Sequence, residues 1–331
     1  MASPKSILQR MGEAAMQFAF FLASRLWGDL SPRAETRWAK ILLFCASPFL
    51  RKQRKTALAN LRIAFPRMDK RERRALARKM FLHFAVLGLD WLHFLRFPQH
   101  AVNRLHVPPE IRKACTISNP DSPCPSTLFC TPHLGNWELE AHIGYISGRP
   151  GAVVVARFHL DWLNKMAERL RSWDQQTRLI PAAGAALGVY RALKEGRNVG
   201  ILIDQNVSPR HGGIFLKFFG LPAVTSPMPA AIARRLAVPV QVVSCIRLPD
   251  GTYTMEHAPL PKNAWEYASD EELTADILRA YETLIQNHPE QYLWFYPRWK
   301  YLPANVSPEG AAAFPPYAIP KRYPCPKEQL P

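Results

Sequence analysis

The stretch Ser126-Thr-Leu-Phe-Cys-Thr-Pro-His-Leu-Gly-Asn-Trp-Glu138 predicts one end of a strand and the start of a helix. Its first six residues are β-prone, and Pro132 ends the run. His133 follows at once, a glycine provides a turn, and Asn136 is a typical N-cap for a helix with Glu138 in its first turn. The order strand, loop and helix is the repeating unit of an α/β protein.

Similar units recur on the C-terminal side of this stretch, where short apolar runs alternate with helical patterns. The predicted strands are 126–131, 152–156, 199–203 and 238–246. The predicted helices lie near 136–147, 160–173, 184–195, 227–236 and 270–287. This alternation predicts an α/β fold with a mixed, largely parallel sheet flanked by helices.

His133 and Glu138 are candidates for a catalytic pair. They are five residues apart, about 140° around an ideal helix, so an unbroken helix would keep them apart. With His133 on the loop and Glu138 on the first turn, the two side chains can converge beside the positive end of the helix dipole. No Ser or Cys nucleophile stands at a matching spacing. The pattern indicates a general base that activates a hydroxyl of a bound substrate, against the alternative of a chance His–Glu pair.

Positive charge is concentrated in one segment. The chain has 331 residues, 48% of them hydrophobic, and a net charge of +17. Between Arg51 and Lys79 there are twelve Lys and Arg residues and two acidic residues. Such a cluster suits nucleic acid, anionic lipid or an acidic protein. Phe65 is the segment's one aromatic residue, whereas nucleic-acid binding favours aromatics interleaved with the cations, so we expect no nucleic-acid partner.

Two apolar runs precede the basic segment, at 15–23 and 38–50. Both are shorter than the roughly 18–20 apolar residues that a spanning helix needs, and charged residues separate them. Helices lying in the membrane interface, followed by a basic patch, fit this pattern, and burial of one helix in the core is the alternative. Basic residues beside an apolar anchor favour the cytoplasmic face of the membrane.

Five blocks of sequence resemble one known family. The block His-Leu-Gly-Asn-Trp-Glu138 is similar to the His-x4-Asp/Glu motif of the bacterial lipid A lauroyl/myristoyl acyltransferases, within the wider group of glycerolipid-type acyltransferases. The other four blocks, in family order over about residues 50–301, are Ala59-Asn-Leu-Arg-Ile-Ala-Phe-Pro66, Leu202-Ile-Asp-Gln205 with Gly213-Ile-Phe-Leu-Lys-Phe-Phe-Gly220, His288-Pro-Glu-Gln-Tyr-Leu-Trp294 and Arg298-Trp-Lys300.

The resemblance implies O-acyl transfer from an acyl thioester, carried by acyl carrier protein, to a hydroxyl or hydroxyacyl group of a membrane glycolipid such as a lipid A precursor. It implies no cofactor and no metal. It places the protein on the cytoplasmic face of the bacterial inner membrane, as a peripheral or monotopic protein. Two departures, Phe295-Tyr-Pro where the family commonly has a His and Leu221-Pro-Ala where it commonly has an Arg, leave the acceptor open. The alternative acceptor is a glycerolipid, mannolipid or aminolipid. A further alternative is that the protein is a non-catalytic, lipid-binding relative of the family.

Several residues are candidates for substrate binding. Arg157 ends a predicted strand at the edge where α/β sheets bind ligands, and by resemblance it and Arg169 would hold a phosphate or the oxyanion. Arg171 is expected to be an exposed helix charge of smaller effect. The remaining candidates are Asn164, the pair Asp204 and Gln205 for the acceptor, and an acyl groove of Phe215, Phe218 and Phe219. Turn capping by Asp204 and core packing by the phenylalanines are the structural alternatives.

Four segments are predicted: membrane-associating helices at 1–50, a basic helical segment at 51–97, an acyltransferase-like α/β domain at 98–302 and a Pro-rich tail at 303–331. The tail has eight prolines and is expected to be extended or mobile.

Overall fold

The computed structural model describes residues 31–114, 122, 124–142, 148–158, 160–172, 175–320 and 324–330. The helices are α1 Pro32–Ala46, α2 Arg51–Ala64, α3 Lys70–Arg96, α4 Pro98–Asn103, α5 Pro109–Ala114, α6 Trp137–Glu140, α7 Asp161–Arg171, α8 Ala185–Lys194, α9 Met228–Leu236, α10 Asp270–Asn287 and α11 Pro308–Ala311. Short 3-10 turns cover Pro209–His211, Ala264–Glu266, Pro289–Gln291 and Lys327–Gln329.

A seven-stranded sheet forms the centre of the fold, with the order β1-β9-β8-β2-β5-β3-β4. All neighbouring strands are parallel except β8 and β9, so the prediction of a mixed, largely parallel sheet flanked by helices is confirmed. The strands are β1 Leu105–His106, β2 Leu128–Thr131, β3 Gly151–Val155, β4 Arg178–Pro181, β5 Asn198–Leu202, β8 Val240–Arg247 and β9 Tyr253–Ala258. A separate antiparallel hairpin joins β6 Ile214–Phe218 to β7 Leu221–Thr225, and β10 Tyr301–Leu302 pairs with β11 Ile319–Pro320.

Both faces of the sheet are covered. Leu128 and Cys130 of β2 point into the main core, which also contains residues of α8, α9 and α10. Phe129, between them, points into a second core with Phe94 of α3 and Leu170 of α7. Successive side chains of a strand face opposite sides, so β2 needs an apolar residue at each position when helices cover both faces. The cavity described below lies on the side of the second core.

Helix caps account for the ends of the long helices. Asp69 accepts hydrogen bonds from the first-turn amides of α3, and Glu72 bonds back to the amide of Asp69, which forms a capping box. Pro66 separates α2 from α3, as expected for a residue that breaks a helix. Ser269 caps α10 in the same manner as Asp69, through its side-chain oxygen.

A buried ion network joins α1 to the sheet. Glu35 of α1 accepts hydrogen bonds from Arg104 at 3.3 Å and from Arg247 at 2.7 Å. Asp90 of α3 accepts from the same two arginines at 3.1 and 2.9 Å. Burial, and then the nearby Asp90 charge, raise the pKa of Glu35. Because buried charges require partners, this network fixes which face of α1 turns outward.

Residues 1–30, which contain the first predicted membrane-associating run, lie outside the described residues. In the described part of the chain, no helix is both long enough and apolar enough to cross a bilayer. The outward face of α1 and the turn after it nevertheless expose large apolar side chains, namely Trp38, Ile41, Leu42, Phe44 and Phe49. This apolar ridge is followed directly by the basic helix α2.

The C-terminal segment differs from the extended or mobile tail predicted from its prolines. Strands β10 and β11 pair, Cys325 is buried, and the Tyr317 hydroxyl donates a hydrogen bond to the side-chain oxygen of Asn60. The prolines limit regular structure, but they do not prevent apolar and aromatic residues in the segment from packing on the domain.

Candidate active site

His133 lies on the loop between β2 and α6, as the sequence predicted. The loop turns at Gly135, which has a φ of +65°. A Cβ atom at this position would lie 1.9 Å from the backbone oxygen of Cys245 on β8, so a side chain cannot be accommodated. The amide of Gly135 also donates to the backbone oxygen of Gln291, and the amide of Leu293 donates to that of His133. These contacts hold the loop rigidly above the sheet.

Asp204 is the residue that orients His133. The Nδ1 atom of His133 lies 2.6 Å from Asp204 Oδ1, and the backbone amide of His133 donates to Oδ2 at 2.8 Å. Asp204 is buried, which by itself raises its pKa. The His133 charge, the two hydrogen bonds from His133 and the Arg298 charge outweigh burial and hold the pKa below its usual value. An ionised Asp204 selects the tautomer of His133 with its proton on Nδ1.

Gln205 contacts the other ring nitrogen. Its Nε2 atom lies 3.0 Å from His133 Nε2, so with the proton on Nδ1 the amide donates to the imidazole lone pair. Trp137 packs edge-on against the imidazole, with ring centroids 5.0 Å apart. The basic nitrogen of His133 is therefore oriented and paired with a neutral amide that a substrate hydroxyl can displace.

Glu138, the predicted partner of His133, makes its hydrogen bonds elsewhere. Its two carboxylate oxygens accept from Arg171 at 2.6 and 2.7 Å, and one accepts from the Trp137 indole at 3.1 Å. Burial by itself lowers the pKa of Arg171, but Glu138 raises it above the usual value. Among the described contacts Glu138 makes no hydrogen bond to His133, because a buried, bidentate arginine is the stronger competitor for this carboxylate.

The expectation that Arg171 is an exposed helix charge is also wrong. Arg171 is largely buried and its guanidinium lies 6.0 Å from the Phe158 ring centroid. Arg157, which was expected to matter more, has 76% of its side chain exposed and a loose 3.7 Å ion pair with Asp161. Arg169 is exposed on α7. Both Arg157 and Arg171 border the cavity described below, but the two differ sharply in burial.

Asn164 is placed to hold the loop before α7. Its side-chain oxygen accepts from the Phe158 amide at 2.7 Å, and its side-chain nitrogen donates to the backbone oxygens of Phe158 and Leu160 at 2.9 and 3.2 Å. With these bonds made, the Asn164 amide is fully engaged with backbone. In the structure these bonds fix the segment that carries Phe158, and substrate binding by Asn164 stays a prediction.

The three phenylalanines predicted to form an acyl groove do not line the cavity that contains His133. Phe218 is buried against Trp299, and Phe219 packs against Phe65 and Trp294. Phe215 lies on the other side of β6, against Val224 and Cys325. Phe218 and Phe219 thus pack in the core, whereas Phe215 also borders a separate cavity of about 390 Å³ between β6 and the C-terminal segment.

A cavity of about 590 Å³ opens at the carboxyl ends of β2, β3 and β5. Its floor includes Phe129, Gly200 and Val153, which are register neighbours across these strands. The full lining is Trp91, Phe129, Thr131, His133, Trp137, Glu138, Glu140, Ala141, Val153, Val154, Val155, Ala156, Arg157, Phe158, Arg171, Ala182, Gly200, Leu202, Gln205, Val243 and Leu293. A mostly apolar cavity of this size, with a few converging polar groups, is typical of a small-molecule or lipid site.

Glu140 is a cavity residue that the sequence did not single out. Its carboxyl group accepts hydrogen bonds from the Thr131 hydroxyl at 2.9 Å and from the Cys245 amide at 3.0 Å. Burial raises the pKa of Glu140 well above its usual value, and the charges of Glu138 and Asp204 act in the same direction. It braces β2 and β8 against α6.

Comparisons with known proteins find the following similarities. Residues 4–301 match the family model described as bacterial lipid A biosynthesis acyltransferase. The chain is 26% identical over 267 residues to the lipid A biosynthesis lauroyltransferase of Escherichia coli (strain K12). That alignment covers 78% of this chain and 82% of the relative.

Proposed function

Because the chain belongs to the bacterial lipid A biosynthesis acyltransferase family, and is thus an acyltransferase for a lipid A-type substrate, we propose the following reaction. A fatty acyl chain moves from a thioester, carried by acyl carrier protein, to a hydroxyl or hydroxyacyl oxygen of a lipid A precursor. The observation that carries this proposal is the 2.6 Å contact between His133 and Asp204 at the wall of a largely apolar cavity.

In the proposed mechanism His133 is the general base. The acceptor hydroxyl replaces the Gln205 amide at His133 Nε2 and loses its proton to that nitrogen as its oxygen attacks the thioester carbonyl. Asp204 stabilises the imidazolium that forms. When the tetrahedral intermediate collapses, the carbon–sulfur bond breaks and the imidazolium returns its proton to the departing thiolate. The acyl chain then ends in an ester, and His133 is again neutral.

The floor of the cavity is the proposed site of the acyl chain. Its strand residues are apolar, and Gly200 leaves the centre of the floor open because it has no side chain. Burial of an acyl chain against these residues stabilises binding by about 25 cal/mol for each Å² of apolar surface removed from water. This cavity replaces the phenylalanine groove expected from the sequence.

Arg171 is the residue proposed to stabilise negative charge in the site. Glu138 holds it at the cavity wall. A buried cation there favours the negative charge that develops on the thioester oxygen, or a phosphate of the acceptor. This assignment departs from the sequence-based choice of Arg157 and Arg169. Arg157 remains a candidate for a weaker, solvent-screened contact at the cavity rim.

Replacing Arg171 by alanine is expected to lower kcat/KM by about 10–100-fold, since a charge-assisted contact contributes about 1.5–3 kcal/mol. The matched control, Arg157→Ala, removes an exposed charge and should change kcat/KM by less than about fivefold. Steady-state rates on a defined lipid A precursor measure both, with thermal unfolding to confirm that each variant is folded. If Arg157→Ala lowers kcat/KM more than Arg171→Ala does, Arg157 is the more important arginine, as predicted from the sequence.

The acyl donor is proposed to dock on the basic face of α2 and the N-terminal half of α3. Eleven Lys and Arg side chains are exposed there, and an acyl carrier protein is acidic. The basic residues are Arg51, Lys52, Arg54, Lys55, Arg62, Arg67, Lys70, Arg71, Arg74, Arg78 and Lys79. Anionic lipid headgroups are a second partner of this face, which suits a peripheral protein on the cytoplasmic side of the inner membrane.

The apolar ridge on α1 predicts reversible membrane binding. Phe44 and Phe49 are 80% and 83% exposed, and burying one such side chain contributes about 1.5–3 kcal/mol. The double variant Phe44→Ser/Phe49→Ser is expected to bind anionic lipid vesicles at least about tenfold more weakly. Vesicle cosedimentation at low and high salt measures this, with Leu187→Ser, which removes an exposed leucine of α8, as control.

Equal loss in the Leu187→Ser control, or unchanged binding of the double phenylalanine variant, would contradict a role for the α1 ridge. Substitution is preferable to deletion of residues 1–50 because Glu35 belongs to the buried ion network and its loss would leave Arg104 and Arg247 with fewer partners.

The proposed function is tested by assaying the purified full-length protein with a fatty acyl thioester of acyl carrier protein. Three acceptors are compared: a lipid A precursor, a lysoglycerolipid and a mannolipid, with products identified by mass spectrometry. Addition of one acyl chain to the lipid A precursor, through an ester, is the expected result. Acylation confined to the lysoglycerolipid or the mannolipid would retain the enzyme class and overturn the acceptor. Replacing the carrier thioester by a coenzyme A thioester tests the donor.

A further inference from the structure

Arg298 is a buried arginine with neutral hydrogen-bond partners. Its guanidinium donates to the backbone oxygen of Val224, to the Thr225 hydroxyl and, at 3.2 Å, to the side-chain oxygen of Asn206. The guanidinium carbon lies 5.3 Å from the Phe218 ring centroid. Within the described ranges, no carboxylate forms an ion pair with it at 4.0 Å or less. A buried cation with no direct ion pair is costly, so its retention requires a compensating interaction.

The nearby carboxylate that can compensate this charge is Asp204. The Arg298 charge lowers the pKa of Asp204, and the Asp204 charge in turn counteracts the lowering of the Arg298 pKa by burial. The other titratable groups that face this pair are His133, Glu140, Tyr281, Tyr292, Tyr296 and Tyr317.

Burial raises the pKa of each of the four tyrosines, so they stay neutral in the working range. Burial likewise raises the pKa of Glu140 well above its usual value. Asp204 and Arg298 are therefore the members of this group that stay charged throughout the working pH range.

Arg298 also fixes the position of the loop that carries Asp204 and Gln205. Asn206, the next residue, accepts from Arg298 and donates through its side chain to the backbone oxygen of Pro297 at 2.9 Å. Its own amide donates to the Tyr296 hydroxyl at 3.0 Å. Residues 296–298 thus hold residue 206 at three points.

We propose that Arg298 is a positioning residue for the reaction, which acts through Asp204: its buried guanidinium, bonded to Asn206, holds the 204–206 loop and the Asp204 carboxylate in register with His133. This inference rests on the proposed role of His133 and Asp204. Arg298 itself does not line the cavity and does not touch substrate. It supplies the positive charge of a buried group that also contains the Asp204 carboxylate and the His133 imidazole.

The sign of the expected effect follows from electrostatics. Removing a positive charge favours proton binding by the remaining groups. Without the Arg298 charge the pKa of Asp204 rises, so Asp204 loses its negative charge, and with it the support for His133 as a base, at a higher pH than in the wild-type enzyme. The acid limb of the pH profile of kcat/KM should then move to higher pH. A purely structural role would lower activity by the same factor at every pH.

The test compares pH profiles of kcat/KM for the full-length protein and three variants, using the acyl carrier protein thioester and the lipid A precursor. Arg298→Gln removes the charge and should move the acid limb to higher pH. Arg298→Lys keeps the charge and should retain the wild-type acid limb, even with a lower maximum rate. Asn206→Asp puts a carboxylate beside the guanidinium and should move the limb in the same direction as Arg298→Gln.

Asn206→Asp preserves the other hydrogen bonds of Arg298. It therefore provides the test of the charge effect if Arg298→Gln fails to fold. An acid limb that stays at the wild-type position in the folded variants, with a uniform loss of rate, overturns the inference. His133→Ala is assayed in parallel. If that variant is inactive while the acid limb of the others is unmoved, only the role of Arg298 fails. If His133→Ala stays active, the proposed mechanism fails and the role of Arg298 with it.

Discussion

The His133→Ala variant is expected to lose about 10²–10⁴-fold in kcat/KM while keeping its fold and its binding to membranes. His133 is the group whose basic nitrogen lies at the cavity wall with its other nitrogen held by a carboxylate. Without the imidazole, water must accept the hydroxyl proton, and the attacking oxygen is a much weaker nucleophile. Transfer is measured from acyl carrier protein thioester to a lipid A precursor by product mass.

The control for this variant is His211→Ala, which removes an exposed histidine outside the cavity and should leave the rate unchanged. Thermal unfolding of His133→Ala should resemble that of the parent protein, because the side chain is partly exposed and Asp204 retains its hydrogen bond from the backbone amide of residue 133. Transfer at nearly the parent rate by His133→Ala would rule out general-base catalysis by this residue.

Asp204→Asn is expected to have the second-largest effect, a loss in kcat of up to about 10⁴-fold. An asparagine is nearly the same size, but its neutral amide cannot stabilise the imidazolium and can present its N–H₂ group to Nδ1, which favours the wrong tautomer. The comparison of kcat for Asp204→Asn and Glu138→Gln separates the partner observed in the structure from the partner expected from the sequence.

Glu138→Gln is expected to lower stability as well as activity. It leaves Arg171 in the cavity wall without its carboxylate, and breaking a buried ion pair on one side costs about 3–5 kcal/mol. The double variant Glu138→Gln/Arg171→Gln, which removes both charges, should regain much of the lost stability as measured by denaturant unfolding. If instead Glu138→Gln loses more activity than Asp204→Asn at unchanged stability, Glu138 rather than Asp204 acts on His133.

Much of the architecture was predictable from local patterns. The predicted strands at 126–131, 152–156, 199–203 and 238–246 each overlap a strand of the sheet, and four of the five helices correspond closely to α7, α8, α9 and α10. The helix expected at 136–147 is only the short α6 in the described residues, and 143–147 lie outside them. Strands β4 and β9 and the β6–β7 hairpin were not among the predicted strands.

The arginines show why side-chain roles were harder to predict. Arg157 follows a strand, and in the structure it borders the cavity at that end of the sheet. Sequence position does not report burial, however, and Arg157 proved to be exposed whereas Arg171 is enclosed by α6 and Phe158. A charged residue is buried only where a partner is available, and the partner of Arg171 is 33 residues away in the chain.

The sequence by itself determined the family, the α/β class and the placement of His133 on a loop after a strand, because each depends on residues that are close together in the chain. The partner of His133 was decided only by the tertiary structure. Strand β5 lies directly beside β2, with Leu202 opposite Thr131. His133 and Asp204 each follow that register pair by two residues, so parallel pairing brings them together across 71 positions of sequence. Strand order within a sheet is set by packing over the whole domain, and no local pattern encodes it.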